Sequence, residues 1–334
     1  MTPQHVVVVG ATGAVGQEMV KTLWQRKFPM ASLRLVASPG SAGRTVHVHG
    51  QDLTLLAPSR AAFEGATLAL FAAGTSVSRE WGDVAAQCGA LVVDNSSAFR
   101  MDADVPLVIP EVNPEALEEH PRNIIANPNC STIVMLTALK PLHAVATLKH
   151  IVVSTYQAVS GKGARAIAEL EEQMQQDATG KTATHSVLPG VLAGNVLSDW
   201  KHEPSGFSEE EAKIIAETRK ILSMPKLHVS PTTVRVPVKN AHSESVWAQF
   251  ERPITRETAL ALLRKAPGVQ VDDRIGPGLH PQPRHVSGQD DVHVGRIRQD
   301  PDDPNALSLF VVGDNIRKGA ALNAVQIAEY VLRG

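Results

Sequence analysis

The stretch "HVVVVGATGAVGQEMVKTLWQRK", His5–Lys27, decides the fold. Val6–Val9 is a continuous β-branched run. A strand buried on both faces of a parallel sheet reads this way, whereas a strand with one wet face alternates. Gly10, Gly13 and Gly16 follow in "GATGAVG", and the residues after them have helical composition. Glycines at such a turn permit a tight bend and let backbone N–H groups approach a pyrophosphate at the helix N-terminus. The spacing G-x-x-G-x-x-G is a variant of the usual fingerprint, and many βα turns carry glycine for steric reasons only. The strand before it and the helix after it favour a nucleotide site on Gly10, Thr12, Gly13, Ala14, Val15 and Gly16.

The same theme repeats downstream. "LRLVAS", "LALFAAG" and "ALVVDNSS" are apolar runs that close on small polar residues, which argues for a doubly wound parallel sheet. Past residue 130 come the helical "STIVMLTALKPLH", the strand-then-loop "HIVVSTYQAVSG" and a helix from Gly163 to Asp177. A Pro- and Gly-marked irregular connection, 178–207, leads to the helix "SEEEAKIIAETRKIL". "TTVRVPV" and "ESVWAQFE" alternate like antiparallel strands, and "DNIRKGAALNAVQIAEYVLRG" closes the chain as an amphipathic helix. The fold class is α/β: a Rossmann-type dinucleotide-binding domain with a mostly parallel sheet, plus a second α+β domain. The length of 334 residues suits two domains of roughly 150 residues each.

Composition excludes several classes. A formal net charge of −2 and the lack of any basic run leave nothing for nucleic acid or an anionic membrane surface. Two cysteines cannot build a disulfide framework, and a reducing compartment is the simpler setting. With no apolar stretch of ~20 residues to span a bilayer, the chain is expected to be soluble and cytoplasmic. The cluster "HPQPRHVSGQDDVHVG", 280–295, matches no standard metal-ligand spacing, and no metal is expected.

The chemistry centres on "NPNCST", 127–132. Pro128 stiffens a turn between a short strand and a helix, so Cys130 stands at a helix N-terminus, where the macrodipole favours thiolate. Helix N–H groups there suit an oxyanion formed when the thiolate attacks a carbonyl. The alternative, a small buried apolar residue, suits Cys88 in "WGDVAAQCGALVV" better than Cys130, whose neighbours are polar. Arg100 ends "DNSSAFR", past the carboxyl end of a sheet strand, where open α/β folds bind ligands. Arg235 is the one charge in "TTVRVPV"; it is either an anion site or a surface arginine on a half-exposed strand. His242, in "KNAHSES", reads as a turn residue with no role fixed by position. After the second strand, "ASPGSAGR" offers Ser38, Ser41 and Arg44 but no carboxylate for ribose hydroxyls, which favours NADP over NAD. An ordinary polar turn is the alternative.

Together these segments resemble the aspartate-semialdehyde dehydrogenase family. The blocks that carry the resemblance are "GATGAVG", "DNSSAFR", "IPEVNP", "NPNCST", "YQAVSG", "ETRKIL", "VRVPV" with "HSE", "VGRIR" and "DNIRKGAALNAVQIAE", in order along nearly the whole chain. The resemblance implies reduction of L-aspartyl 4-phosphate to aspartate 4-semialdehyde with NADPH, feeding lysine, methionine and threonine synthesis. It implies Cys130 as nucleophile, His242 as acid/base and Gln157 as the orienting glutamine. It also implies Arg235 for the substrate α-carboxylate, Arg100 and Lys213 for phosphate, and Glu210 for substrate placement. Cofactor contacts would include Ser160, Gly161 and Asn315. Domains of 1–129 with 318–334 (cofactor) and 130–317 (catalysis and dimerisation) follow from it, as does a homodimer.

Four positions depart from the family pattern. Gly40 stands where many relatives carry an arginine, with Arg44 as a substitute, and Lys162 stands for alanine near the expected cofactor phosphates. "NVLSDW" lacks the proline that commonly follows its first three residues, and His293 replaces an aromatic. N-acetyl-γ-glutamyl-phosphate reductase, which runs the same chemistry on a longer substrate, is the nearest alternative. A non-catalytic paralogue kept for binding is the alternative from another class.

Overall fold

Val6–Val9 are at most 1% exposed, as a strand covered on both faces requires. They lie in β1 (Gln4–Val9) of a computed structural model that describes residues 2–333. By its contacts the chain forms two compact units, one running to Asn129 and resuming at Ala320, the other Cys130–Gly319.

In the first unit the strands are β1, β2 (Met30–Val36), β3 (Thr45–Val48), β4 (Gln51–Leu56), β5 (Leu68–Phe71), β6 (Leu91–Asp94) and β7 (Ile124–Ala126). They make one sheet in the order β3-β4-β2-β1-β5-β6-β7. All pairings are parallel except the β3/β4 hairpin, which the sequence pattern did not single out because its residues are short and half-exposed. Helix Ala14–Gln25 and the C-terminal helix Leu322–Arg333 share a core with the sheet: Met19 and Leu23 meet Val6, Val8, Leu70, Ala324, Val325 and Ala328. Arg26 adds a two-pronged ion pair to Glu329, at 2.8 and 2.6 Å.

The second unit carries β8 (Leu148–Gln157), β9 (His228–Arg235), β10 (His242–Phe250), β11 (Val269–Val271), β12 (Val292–Gln299) and β13 (Ala306–Gly313), in the order β11-β12-β13-β10-β8-β9. The pattern reads "TTVRVPV" and "ESVWAQFE" as antiparallel strands; in the structure β10 is antiparallel to both its neighbours, whereas β9 is not. β9 is an edge strand parallel to β8, with Gln157 opposite Arg235, and β8 separates it from β10. Helix Glu209–Ile221, fixed at its start by a Ser208/Glu211 capping box, returns the chain for a crossover, and a crossover delivers a parallel strand. His242 likewise is no turn residue. It opens β10 just after Ala241, whose φ is +70°.

Helix Cys130–Ala146 covers this sheet, with most of its residues buried despite Pro141. A Cβ on Gly313 would lie 2.6 Å from Val134 Cγ2, so glycine there sets how closely helix and sheet approach. The closing helix was expected from about Lys318. Instead Arg317–Ala321 is a π-turn, and the α-helix begins at Leu322. Asp314 anchors the turn: its Oδ1 accepts the N–H groups of Ile316 and Arg317, and its carbonyl accepts that of Gly319. No helix among the described residues is long and apolar enough to cross a membrane.

Leu70 is fully buried in the first unit's core. Leu70→Ala should destabilise that unit by about 2–5 kcal/mol, read as an earlier urea midpoint; an unchanged midpoint would mean this core does not hold the unit.

Candidate active site

In the first unit the glycine turn has little room for side chains. Gly10 sits at φ +80°, and a Cβ on it would lie 2.7 Å from the Ala72 carbonyl oxygen. One on Gly16 would lie 2.2 Å from the Gly10 carbonyl oxygen. Gly13 precedes helix Ala14–Gln25 and gives it no side-chain cap. With Thr12 exposed and Ala14 and Val15 half-buried beside it, the turn presents backbone to solvent, as a pyrophosphate requires. After β2, Ser38 Oγ lies 3.4 Å from Ser41 Oγ in a short 3-10 turn. Gly40 is in the open, and Arg44 is exposed with no ion pair among the described residues. These residues leave room for a dinucleotide.

Arg100, also of the first unit, is buried. It donates from Nε to the Asn127 carbonyl and from Nη2 to that of Asn95, each at 2.9 Å. It thereby ties together the loops that leave β6 and β7.

The second unit gathers most of the expected catalytic residues around the end of β8. Cys130 is the first residue of its helix and is half-buried. Next to it, Ser131 Oγ accepts from Gln157 Nε2 at 3.0 Å, and that amide nitrogen also donates to Glu210 Oε1 at 3.1 Å. Glu210 in turn lies 3.6 Å from Lys213 Nζ, one turn along its helix. The following residue, Ala158, serves the other pair. Its N–H donates to His242 Nδ1 at 2.9 Å, and its carbonyl accepts from Arg235 Nη1 at 2.8 Å.

This arrangement sets the state of His242. With Nδ1 accepting a backbone N–H, the ring proton of neutral imidazole must sit on Nε2. Nε2 is buried and has no partner among the described residues, so it is available as a donor. Burial, and after it the Arg235 charge, hold the imidazolium well below its usual range. Gly161 backs the pair: a Cβ there would lie 3.1 Å from Arg235 Nη1 and 3.4 Å from His242 Cε1. Ser160 and Asn315 are hydrogen-bonded to each other at 2.9 Å, and Asn315 also receives the Ala241 N–H.

Some contributors had no signal in the sequence. Gly319 faces Cys130, since a Cβ on it would lie 2.9 Å from Cys130 Cβ. Asp199, in the irregular 178–207 connection, forms a bidentate ion pair with Arg235, which removes the reading of Arg235 as a surface residue. Lys162 reaches Asp199 as well. The 280–295 cluster is occupied locally: His293 pairs with Asp272 at 2.6 Å, and Asp290 with Arg317. Among the described residues no group of three or more acids, histidines or cysteines is placed to hold a metal.

Glu244, two residues along β10 from His242, is wholly buried, and neither carboxyl oxygen has a partner among the described residues. Burial raises its pKa well above normal. The native state therefore keeps a proton that the unfolded chain loses above about pH 4.3, and stability falls as pH rises through that window. Glu244→Gln should remove this dependence. Its thermal stability relative to wild type should grow by up to about 1.4 kcal/mol per pH unit above that point; a pH-independent difference would show that Glu244 ionises freely.

Comparison with known proteins gives the geometry its family. Residues 5–120 match the model for the semialdehyde dehydrogenase NAD binding domain, and residues 139–318 that for the semialdehyde dehydrogenase dimerisation domain. The aspartate-semialdehyde dehydrogenase of Synechocystis sp. is 47% identical, with 99% of this chain and 98% of that one covered. That of Bacillus subtilis is 48% identical, covering 97% and 96%. The crystal structure of aspartate semialdehyde dehydrogenase II from Vibrio cholerae, complexed with ASA, superposes with a TM-score of 0.96 at 40% identity, over 100% of this chain and 99% of that one. Two matching domain models and relatives alike over almost their full length show that the chain belongs to the aspartate-semialdehyde dehydrogenase family.

Proposed function

We propose that the protein catalyses the reversible, NADPH-dependent reductive dephosphorylation of L-aspartyl 4-phosphate to L-aspartate 4-semialdehyde through a thioester on Cys130, as a homodimer in cytoplasmic lysine, methionine and threonine synthesis. The observation that supports this most is the end of β8. Gln157 engages Ser131 beside the thiol and Glu210, while Ala158 engages His242 and Arg235. A nucleophile, a donor imidazole, a carboxylate and a guanidinium around two adjacent residues suit an acyl substrate that also bears a carboxylate.

The proposed roles follow from the chemistry. Attack by the Cys130 sulfur forms a C–S bond and breaks the acyl C–O bond to phosphate, and the thiol proton leaves with the phosphate. Arg100 and Lys213 bind that phosphate, Arg235 the α-carboxylate, and Glu210 helps place the substrate. When bound, NADPH supplies the hydride that reduces the thioester carbon. The oxygen left negative on that carbon takes a hydrogen bond from His242 Nε2–H, and its collapse breaks the C–S bond and frees the thiolate, which takes up a proton from solvent before the next turnover. Gln157 orients Ser131 and Glu210. The turn residues Gly10, Thr12, Gly13, Ala14, Val15 and Gly16 would hold the pyrophosphate, with Ser160, Gly161 and Asn315 as further cofactor contacts. NADPH over NADH rests on Ser38, Ser41 and the exposed Arg44, with no acid after β2. For the homodimer, the β8 face that exposes Val152 and Tyr156 offers apolar surface.

The test is the reverse reaction with aspartate semialdehyde. NADP reduction should require phosphate, and Cys130→Ser should lower the rate by about 10³-fold or more. NAD should support a much lower kcat/KM than NADP. Activity with N-acetylglutamate semialdehyde in its place, or none with either aldehyde, would overturn the substrate assignment.

A further inference from the structure

Arg235 is more constrained than a carboxylate receptor needs to be. Its side chain is 3% exposed, and that of Asp199 is 0% exposed. Asp199 takes one edge of the guanidinium, Oδ2 from Nε at 3.2 Å and Oδ1 from Nη2 at 3.1 Å. Ala158 takes a proton of Nη1, and the Trp200 ring lies over the guanidinium carbon at 4.7 Å. Three of five N–H donors are therefore spent, and one on each terminal nitrogen is left without a partner among the described residues. One donor on each terminal nitrogen of a buried guanidinium leaves two hydrogen bonds for a carboxylate.

Lys162 holds the far side of Asp199. Its Nζ lies 3.3 Å from Oδ2 and 3.1 Å from the Asp199 carbonyl. Lys162 stands where the family pattern has alanine, and Asp199 directly follows Ser198, the position where "NVLSDW" lacks the usual proline. One departure thus contacts the residue beside the other. Two cations and one anion leave a single net positive charge, the same that a lone arginine would offer, so the added pair keeps the sign that an anionic ligand needs. The segment is also pinned by its backbone: Leu197 N–H donates to the Arg235 carbonyl at 3.0 Å, and Arg235 N–H to that of Leu197 at 2.7 Å. A carboxylate so fixed is a standing support rather than a flap.

We propose that Asp199, held by Lys162, is a positioning residue that locks the Arg235 guanidinium so that its two remaining N–H groups face the substrate's α-carboxylate. This rests on Arg235 being the carboxylate site, as proposed above. The full-length enzyme is assayed in the reverse direction as Asp199→Ala, Lys162→Ala, the double variant and Arg235→Ala, with thermal melts to establish folding. Asp199→Ala should raise KM for aspartate semialdehyde about tenfold, with kcat and KM for phosphate changed less than about threefold. Lys162→Ala should raise it less, and the double variant should match Asp199→Ala, because Lys162 acts only through Asp199. If Asp199→Ala does not fold, Asp199→Asn, which keeps shape and one acceptor, should show a smaller rise of the same kind. A lowered KM in either Asp199 variant would mean that Asp199 competes with substrate, and additive effects would mean that the two residues act separately; each overturns the proposal. Arg235→Ala separates the two levels: no change in its KM removes the carboxylate site itself, whereas a large rise beside an inert Asp199→Ala removes only the clamp.

Discussion

The end of β8 is the constraint on which the second unit's chemistry depends. Ala158 offers one N–H and one carbonyl, and both are spent on side chains, the first fixing the tautomer of His242 and the second holding Arg235. Buried backbone groups must find partners, so β9 and β10 flank β8 on opposite sides and each contributes one residue to this point. Gln157, one residue earlier, does the same for Ser131 and Glu210. A change that moved this strand end would disturb four side chains at once.

Electrostatics makes the arrangement selective. His242 stays neutral because burial disfavours its charge and Arg235 adds to the penalty. Asp199 pairs with the Arg235 guanidinium at 3.1 Å. The imidazole is thus a donor of fixed direction beside a cation, which suits oxygen that becomes negative during reaction.

Much of this was legible in sequence, for local reasons. The buried β1, the glycine turn and the Cys130 helix start each depend on residues within one turn of each other, and local spacing carries such information. The direction of β9 was misjudged because alternation gives the faces of a strand and says nothing of how it runs beside its partner. His242 looked like a turn residue because Asn240 and Ala241 precede it, although Ala241 takes the left-handed conformation and the strand begins directly after. Asp199 gave no signal, because its role exists only through Arg235, 36 residues on and across an irregular segment. Gly319 was invisible in the same way, since only the π-turn set by Asp314 brings it to Cys130.

In the proposed mechanism Cys130 carries the acyl group between hydride transfer and phosphorolysis. Mass spectrometry of the intact enzyme, mixed with aspartate semialdehyde and NADP in the absence of phosphate, tests it most directly. One acyl group should appear on the Cys130 peptide with about one equivalent of NADPH, and both Cys130→Ser and added phosphate should abolish the adduct. NADPH formed without an adduct, or an adduct on another residue, would contradict the thioester mechanism.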